Sequence, residues 1–203
     1  MAKPTVYVVY YSTYGHVKTL ANKIMEGLNK SGTVNAKLFQ FQETLSDEIL
    51  GKMHAPKKDE AVPVITLADL TDADAFLFGF PTRYGNAPAQ VKAFWDSTGQ
   101  LWASGALQGK MAGVFFSTAS QGGGQETTAL TFLPNLVHHG MIYVPLGYTH
   151  ANLFALDEVV GGSAYGSGTV AAGDGSRQPS EKELTIAEHH GERFAKIVAQ
   201  YHQ

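Results

Sequence analysis

The chain has 203 residues, 44% hydrophobic and 11% aromatic, which is enough for one sizeable core and points to a single domain over residues 1–203. Its 15 Lys and Arg against 18 Asp and Glu leave a net charge of -3, giving neither the basic footprint of a nucleic-acid binder nor the polybasic signal of a membrane-surface protein. With no cysteine, disulfides, thiolate nucleophiles, iron–sulfur clusters and cysteine-held zinc are excluded, and the histidines form no H-E-x-x-H pair, so no metal site is expected.

The opening Met1-Ala2-Lys3-Pro4 passes into a strand without a hydrophobic signal core, and no apolar run reaches the length of a membrane span. A soluble cytoplasmic protein without an integral membrane segment is the expectation. From Thr5 to Tyr11 every residue is β-branched or aromatic, as in a central strand of a parallel sheet that is buried on both faces. Ser12-Thr13-Tyr14-Gly15-His16 follows as a turn, after which Val17, Leu20, Ala21, Ile24, Met25 and Leu28 share one helical stripe that Lys30-Ser31-Gly32 closes.

Strand, small hydroxyl-rich turn and helix N-terminus together suit an anion, because the N–H groups of a first helical turn lack partners in the helix and the macrodipole favours negative charge there. No Lys or Arg lies between Ser12 and Val17. A phosphate would therefore be held by backbone N–H groups and by the hydroxyls of Ser12, Thr13 and Thr19. Both the Walker pattern and G-x-G-x-x-G are missing, which argues against ATP, and against NAD bound at this turn. The structural alternative is an ordinary βα turn capped by Ser12.

Val34 to Phe41 reads as the second strand. Gln42 to Pro63, with Lys57-Lys58-Asp59-Glu60, reads as a solvated surface insertion carrying a short helix near Ser46 to Lys52. Ala75 to Phe80 is a buried strand stopped by Pro81, and the loop Pro81-Thr82-Arg83-Tyr84-Gly85-Asn86 leads to a helix that Asn86 and Pro88 start and that runs to about Ser97. Val91, Phe94 and Trp95 share one face of that helix, and Thr98 to Gly105, with Trp102 among Gly and Ser, reads as a loop.

Met111 to Phe116 is the next strand and Ser117 to Gln125 a glycine-rich loop. The helical pattern from Glu126 contains Pro134, so a kink or restart is expected before His138-His139-Gly140 ends it. Met141 to Val144 reads as the last strand. Gly147 to Arg177 is a long glycine-rich stretch without periodicity, the kind usually functional or shared with a partner. Ser180-Glu181-Lys182-Glu183 is a capping box opening the final helix, with Leu184, Ala187, Phe194, Ala195 and Val198 toward the sheet.

Five strands alternating with helices predict a doubly wound α/β fold, its parallel sheet in the order 2-1-3-4-5 with helices on both faces. Ligands in such sheets bind beyond the carboxyl ends of the strands. Three unusual loops follow strand ends: Ser12 to Val17, Pro81 to Asn86 and Ser117 to Gly124. The first suits a phosphate, the second presents Tyr84 beside the small Gly85, and the third brings backbone N–H groups to the edge of a flat ligand. Flavin mononucleotide (FMN) fits this combination.

Five segments carry a resemblance to a known family: Tyr10-Tyr11-Ser12-Thr13-Tyr14-Gly15-His16, Pro81-Thr82-Arg83-Tyr84-Gly85-Asn86, Leu101-Trp102-Ala103-Ser104-Gly105-Ala106-Leu107, His138-His139-Gly140-Met141 and Gly173-Asp174-Gly175-Ser176-Arg177-Gln178-Pro179-Ser180. Over nearly its whole length the chain resembles the WrbA-type NAD(P)H:quinone oxidoreductases, flavodoxin-like proteins with fungal relatives described as protoplast-secreted proteins. The polar segment after the second strand and the extra Gln121 are where it departs from the family pattern. The resemblance implies FMN phosphate at Ser12, Thr13, Tyr14, Gly15, His16 and Val17. It implies the isoalloxazine ring within Pro81, Thr82, Arg83, Tyr84 and Gly85, and the pyrimidine end at Ser117, Thr118, Ala119, Ser120, Gln121, Gly122 and Gly123. His138 is implied as the catalytic neighbour of flavin and substrate, Tyr14 as a neighbour of the nicotinamide nucleotide, and Trp102 as a wall of the substrate pocket. Also implied are a homotetramer that builds this pocket between subunits and a ping-pong, two-electron reduction of a quinone by NADH or NADPH.

Each of these side chains has a simpler role open to it. Arg83 could serve as a surface ion-pair partner, Trp102 as a core anchor, His138 as a partner of helix-end carbonyls and His16 as a loop contact or cap, while His139 reads as structural. A one-electron flavodoxin carrier would share the fold, though the near-balanced charge gives little support to the acidic docking face it needs, and so would a cofactor-free interaction protein.

Overall fold

A computed structural model describes residues 2–203. Strand β1 (Thr5–Tyr10) takes the central place that its apolar run requires, with every side chain from Val6 onward buried. It pairs in parallel with β2 (Asn35–Gln40) on one side and β3 (Ala75–Pro81) on the other, and β4 (Met111–Thr118) extends the sheet beyond β3. The helices are α1 (His16–Ser31), α2 (Asp47–Lys52), α3 (Leu67–Asp72), α4 (Ala89–Asp96), α5 (Gly99–Ala103), α6 (Gln125–His138) and α7 (Glu181–Tyr201).

The helices cover both faces. Val17, Leu20, Ile24 and Leu28 of α1 pack with Phe194 and Val198 of α7 on one face. On the other, Leu70 of α3, Val91 and Trp95 of α4, and Phe132 and Leu136 of α6 pack with Phe76, Phe78 and Phe80 of β3. Helices α1 and α7 meet backbone to backbone: a Cβ added at Gly27 would stand 1.9 Å from the Glu188 carbonyl oxygen, and one at Gly191 would stand 2.1 Å from that of Ile24. Only glycine allows that approach.

Beyond β4 the sheet differs from the five-strand expectation. Its order is β2-β1-β3-β4-β7-β6, with β5 (Ile142–Tyr143) also paired to β4. The fifth position is divided: β5 lies beside Met111 and Ala112 at the start of β4, whereas β7 (Gly166–Val170) lies beside Phe116 to Thr118 at its end, with β6 (Gly162–Ser163) antiparallel to it. Strand β7 comes from the stretch expected to lack regular structure. Its glycines hid it, and packing demands them, since a Cβ at Gly166 would stand 1.9 Å from the Val114 carbonyl oxygen and one at Gly168 would stand 2.4 Å from Gln125 Oε1. The same stretch holds a 3₁₀ turn, Ala151–Phe154.

Three further expectations are corrected. Thr98 to Gly105 is not a loop throughout, because α5 forms there and the Trp102 N–H bonds the Thr98 carbonyl at 3.0 Å. Helix α6 does not restart at Pro134, which lies on its exposed side, since Ala129, Phe132 and Leu136 dock on the core before and after the proline. Helix α3 was unforeseen, although Thr66 and Asp69 form a capping box at its start. Among the described residues no helix is long and apolar enough to cross a membrane, and no group of three or more His, Asp or Glu is placed to hold a metal ion.

Candidate functional site

The carboxyl ends of β1, β3 and β4 lie side by side and open into a cleft of about 490 Å³. Ser12, Thr13, Tyr14, His16 and Val17 line it from the first loop, Pro81, Thr82 and Arg83 from the second, and Ser117, Thr118 and Ala119 from the third.

Gly15 caps α1 at a φ of 98°, a left-handed value that admits glycine, and no protein atom lies within 4 Å of the place a Cβ would take. Its N–H donates to Ser12 Oγ at 3.0 Å, and its carbonyl accepts from the Thr19 N–H at 2.9 Å, which fixes the turn onto the helix. Among the described residues the N–H groups of Thr13, Tyr14, His16 and Val17 have no hydrogen-bond partner in the chain. Four free donors at a helix N-terminus form a cradle for an anion, and this donor set fits the phosphate of FMN.

Arg83 extends the cradle from the second loop, where Nη2 donates to Thr13 Oγ1 at 3.1 Å and Nη1 donates to the Thr82 carbonyl at 2.9 Å. It has no carboxylate partner among the described residues, so it is not the surface ion-pair member considered above. Arg83 and Asn86 exchange N–H···O bonds of 2.7 and 3.0 Å across Tyr84 and Gly85, whose φ values are 54° and 79°. Positive φ at both central positions is the signature of a type I′ turn, and it leaves Tyr84 wholly exposed at the tip. Thr82 Oγ1 accepts from the Gly85 N–H at 3.0 Å and from Thr128 Oγ1 at 2.8 Å, tying the turn to α6.

In the third loop Thr118 Oγ1 donates to the Ser120 carbonyl and accepts from Gln125 Nε2, both at 2.7 Å. That arrangement directs Ser117 to Ala119 at the cleft, while Ser120, Gln121, Gly122 and Gly123 form the loop's outer part and do not line it. Gly15, Tyr84 and Gly85 likewise shape the loops without lining the cleft.

The fourth wall was not assigned to the site from sequence: Ala171, Gly173, Asp174 and Gly175. The Ala171 N–H donates to the Thr118 carbonyl at 2.8 Å, and Arg177 fastens the segment's far end. Arg177 Nη1 lies 2.9 Å from Glu183 Oε2 and also donates to the Val170 carbonyl at 2.6 Å. Glu183 is fully buried and accepts from the Gly161 and Ser180 N–H groups, each at 2.8 Å, and from Thr169 Oγ1 at 2.7 Å. From the first loop, His16 Nε2 donates to the Arg177 carbonyl at 2.9 Å, so His16 is the loop contact considered as its simpler role. The Gly173 to Ser180 motif was visible in the sequence, but only the β7 pairing shows which edge it reaches.

The flavodoxin family profile matches residues 8–140. A quinone-oxidoreductase, QR2, of Triphysaria versicolor is 58% identical over 199 residues, covering 98% of this chain and 97% of its own. NAD(P)H quinone oxidoreductase PST2 of Candida albicans is 51% identical over 203 residues, the full length of both chains. The chain belongs to the WrbA-type quinone oxidoreductases. The crystal structure of a WrbA-like flavodoxin from Agrobacterium tumefaciens agrees, with a TM-score of 0.67 at 27% identity over 99% of this chain and all of that one.

In this WrbA-type chain two of the expected site residues stand apart from the cleft. His138 is the last residue of α6, which begins at the Thr118 end of β4 and, at about 1.5 Å per residue, carries its end roughly 20 Å away. There the Gly140 carbonyl accepts from the Gly109 N–H at 2.9 Å, just before β4 begins, so His138 lies exposed at the amino edge of the sheet. Trp102 lies at the same edge: it is 60% exposed on α5, and Thr98, which caps α5, bonds His139 Nε2 at 2.8 Å. His139 is buried and structural, as read, whereas Trp102 is no core anchor. Tyr14 does stand at the rim, half exposed, with its hydroxyl donating to the Met53 carbonyl at 3.2 Å.

Proposed function

We propose that this chain is an FMN-dependent enzyme that transfers two electrons from NADH or NADPH to a quinone, reducing it to the hydroquinone. The observation that carries the reading is the set of unpartnered N–H groups of Thr13, Tyr14, His16 and Val17, at the same cleft as Arg83 and Ser117 to Ala119. Curated relatives at 51–58% identity that are named as quinone oxidoreductases support it. Bound in the cleft, the flavin would supply the hydride-accepting and hydride-donating chemistry.

The chain's own residues do the rest. The Ser12 to Val17 turn holds the phosphate with backbone donors that need no rearrangement, and Arg83, fixed by Thr13, sets a permanent positive charge beside the ring loop where reduction builds negative charge. Ser117 to Ala119 present the edge that receives the pyrimidine end, and Ala171 to Gly175 close the cleft from the far side. Tyr14 at the rim offers a ring face to the nicotinamide.

The amino-edge position of His138 and Trp102 supports a homotetramer in which one subunit's amino edge completes another's cleft. In that assembly Trp102 walls the quinone pocket, and His138 donates a hydrogen bond to the quinone oxygen as it gains charge. NAD(P)H and quinone then use one pocket in turn, which is ping-pong kinetics, and a cytoplasmic enzyme drawing on pyridine nucleotide is the setting we assign. Titration of the apo chain with FMN and with riboflavin, followed by NAD(P)H and benzoquinone, tests the reading. Tighter binding of FMN and parallel double-reciprocal lines are expected. Equal affinity for the two flavins would remove the phosphate cradle, and intersecting lines would remove the shared pocket.

A further inference from the structure

Lys58 stands in the polar segment between β2 and α3, which the sequence presents as a solvated excursion. The segment does stay at the surface, with none of residues 42–63 buried, but it folds back against the outer side of the Ser12 turn. Lys58 Nζ donates to the Ser12 carbonyl at 2.8 Å, lies 3.0 Å from Glu43 Oε2 and sits 4.3 Å from the centre of the Tyr11 ring. Glu43 in turn accepts from the Tyr11 hydroxyl and from Gln90 Nε2, each at 2.9 Å, and from the N–H groups of Thr44 and Leu45. The side chains of Lys58 and Glu43 are only 27% and 10% exposed, so the pair is shielded and fixed.

We propose that Lys58, held by Glu43, is a positioning residue for the flavin phosphate and sets the preference for a phosphorylated flavin. This rests on the FMN reading given above. In a planar trans peptide the carbonyl of one residue and the N–H of the next point in opposite directions. Holding the Ser12 carbonyl toward Lys58 therefore turns the Thr13 N–H away from it. Thr13 lines the cleft, and its N–H is one of the donors without a partner in the chain. The ammonium also places the positive end of the Lys58–Glu43 pair on a turn that has no Lys or Arg of its own between Ser12 and Val17. Lys18, the nearest cation on α1, is taken up by Asp59 at 2.7 Å.

The test measures dissociation constants of FMN and riboflavin for the full apo chain by quenching of flavin fluorescence, in wild type, in Lys58→Met and in Glu43→Gln/Lys58→Met. Lys58→Met leaves the Glu43 carboxylate without its cation, so the double variant separates loss of the lysine from exposure of that charge and spares the fold a shielded unpaired anion. FMN affinity is expected to fall about tenfold in the single variant, as for loss of one charge-assisted hydrogen bond, and to stay at least about fivefold down in the double variant. Riboflavin affinity is expected to stay within about twofold throughout, since the ring does not meet the turn. Equal weakening of both flavins would make Lys58 merely structural, and full recovery of FMN binding in the double variant would assign the loss to Glu43. Either result overturns the proposal. A wild-type chain that binds both flavins alike would instead overturn the FMN reading itself.

Discussion

Replacing Glu183 with Gln tests how the fourth wall of the cleft is held. The carboxylate is fully buried and is shared by Arg177, the Gly161, Val170 and Ser180 N–H groups and the Thr169 hydroxyl. An amide of the same shape keeps one oxygen for these donors but turns an NH₂ group toward the others and leaves the Arg177 guanidinium without its counter-charge. Breaking one side of a buried pair costs about 3–5 kcal/mol when the partner stays charged. Arg177 is about one-quarter exposed and retains the Val170 and Val159 carbonyls, so the lower end, about 3 kcal/mol, is expected. In a chain of this length that lowers the melting temperature by roughly 6–12 °C. Thermal and urea unfolding at one fixed protein concentration would measure it, because the proposed assembly would make apparent stability depend on concentration. Limited proteolysis should show cleavage between Ala171 and Arg177 first. A loss below about 1 kcal/mol, or first cleavage elsewhere, would refute the view that Glu183 ties this wall to α7.

Gly191→Ala should cost about 3 kcal/mol by forcing α1 and α7 apart, whereas Gly51→Ala in α2, where a Cβ meets no atom within 4 Å, should be neutral or slightly stabilising in the same unfolding assay. His190 is buried with Nε2 lacking a partner, and burial first, then His189 and Arg193, pull its pKa from 6.5 down to about 3. The unfolded chain therefore binds the proton that the folded chain refuses between those values. Stability falls as pH drops below 6.5, by up to about 1.4 kcal/mol per unit, and His190→Gln should flatten that slope in unfolding measured from pH 7 to 5. His138→Ala should slow reoxidation by quinone in stopped flow by about 10- to 100-fold, below the best oxyanion cases, while FMN affinity stays unchanged. An unaltered reoxidation rate would end its catalytic assignment. Mixing this variant with a cleft-defective Thr13→Asp chain should restore part of the activity if His138 serves a neighbouring subunit's cleft.

What could be read ahead of the structure follows from the range of the interactions involved. The Thr5 to Tyr11 run, the α1 stripe ended by Gly32, and the Ser180 to Glu183 box are set by residues close in sequence, and β1, α1 and the start of α7 form where they predict. The three loops at the strand ends also meet, because the parallel order of β1, β3 and β4 brings them together once the sheet is wound. Strand β7 was illegible because Gly166 and Gly168 answer to Val114 and Gln125, residues 43 or more positions away, and not to any local propensity. The same holds for Glu43 and Lys58: a charged segment reads as solvated until Tyr11, Ser12 and Gln90 are seen to receive it. The place of Trp102 and His138 was not legible, since a sequence motif does not say to which edge of the sheet it is carried, and both lie away from the cleft.

The four loops give the cleft its anion cradle, a fixed guanidinium and a flat edge, yet Tyr14 stands half exposed and Tyr84 wholly exposed above it. Redox chemistry on a flavin is served by excluding water, and these residues do not close the cleft over. At the opposite edge Trp102, Val137 and Ile142 are exposed apolar side chains on the same edge as His138, and the buried Thr98–His139 bond fastens α5 to the end of α6. In the homotetramer proposed above, the open cleft at one edge and the exposed aromatic and imidazole at the other would complete each other between copies. On the proposed function, the carboxyl edge of each chain is the part that would select and orient the flavin. The amino edge, made precise by His139, carries the groups that would meet the quinone, so disrupting His139 should impair quinone turnover without loosening flavin, as its distance from the phosphate cradle requires.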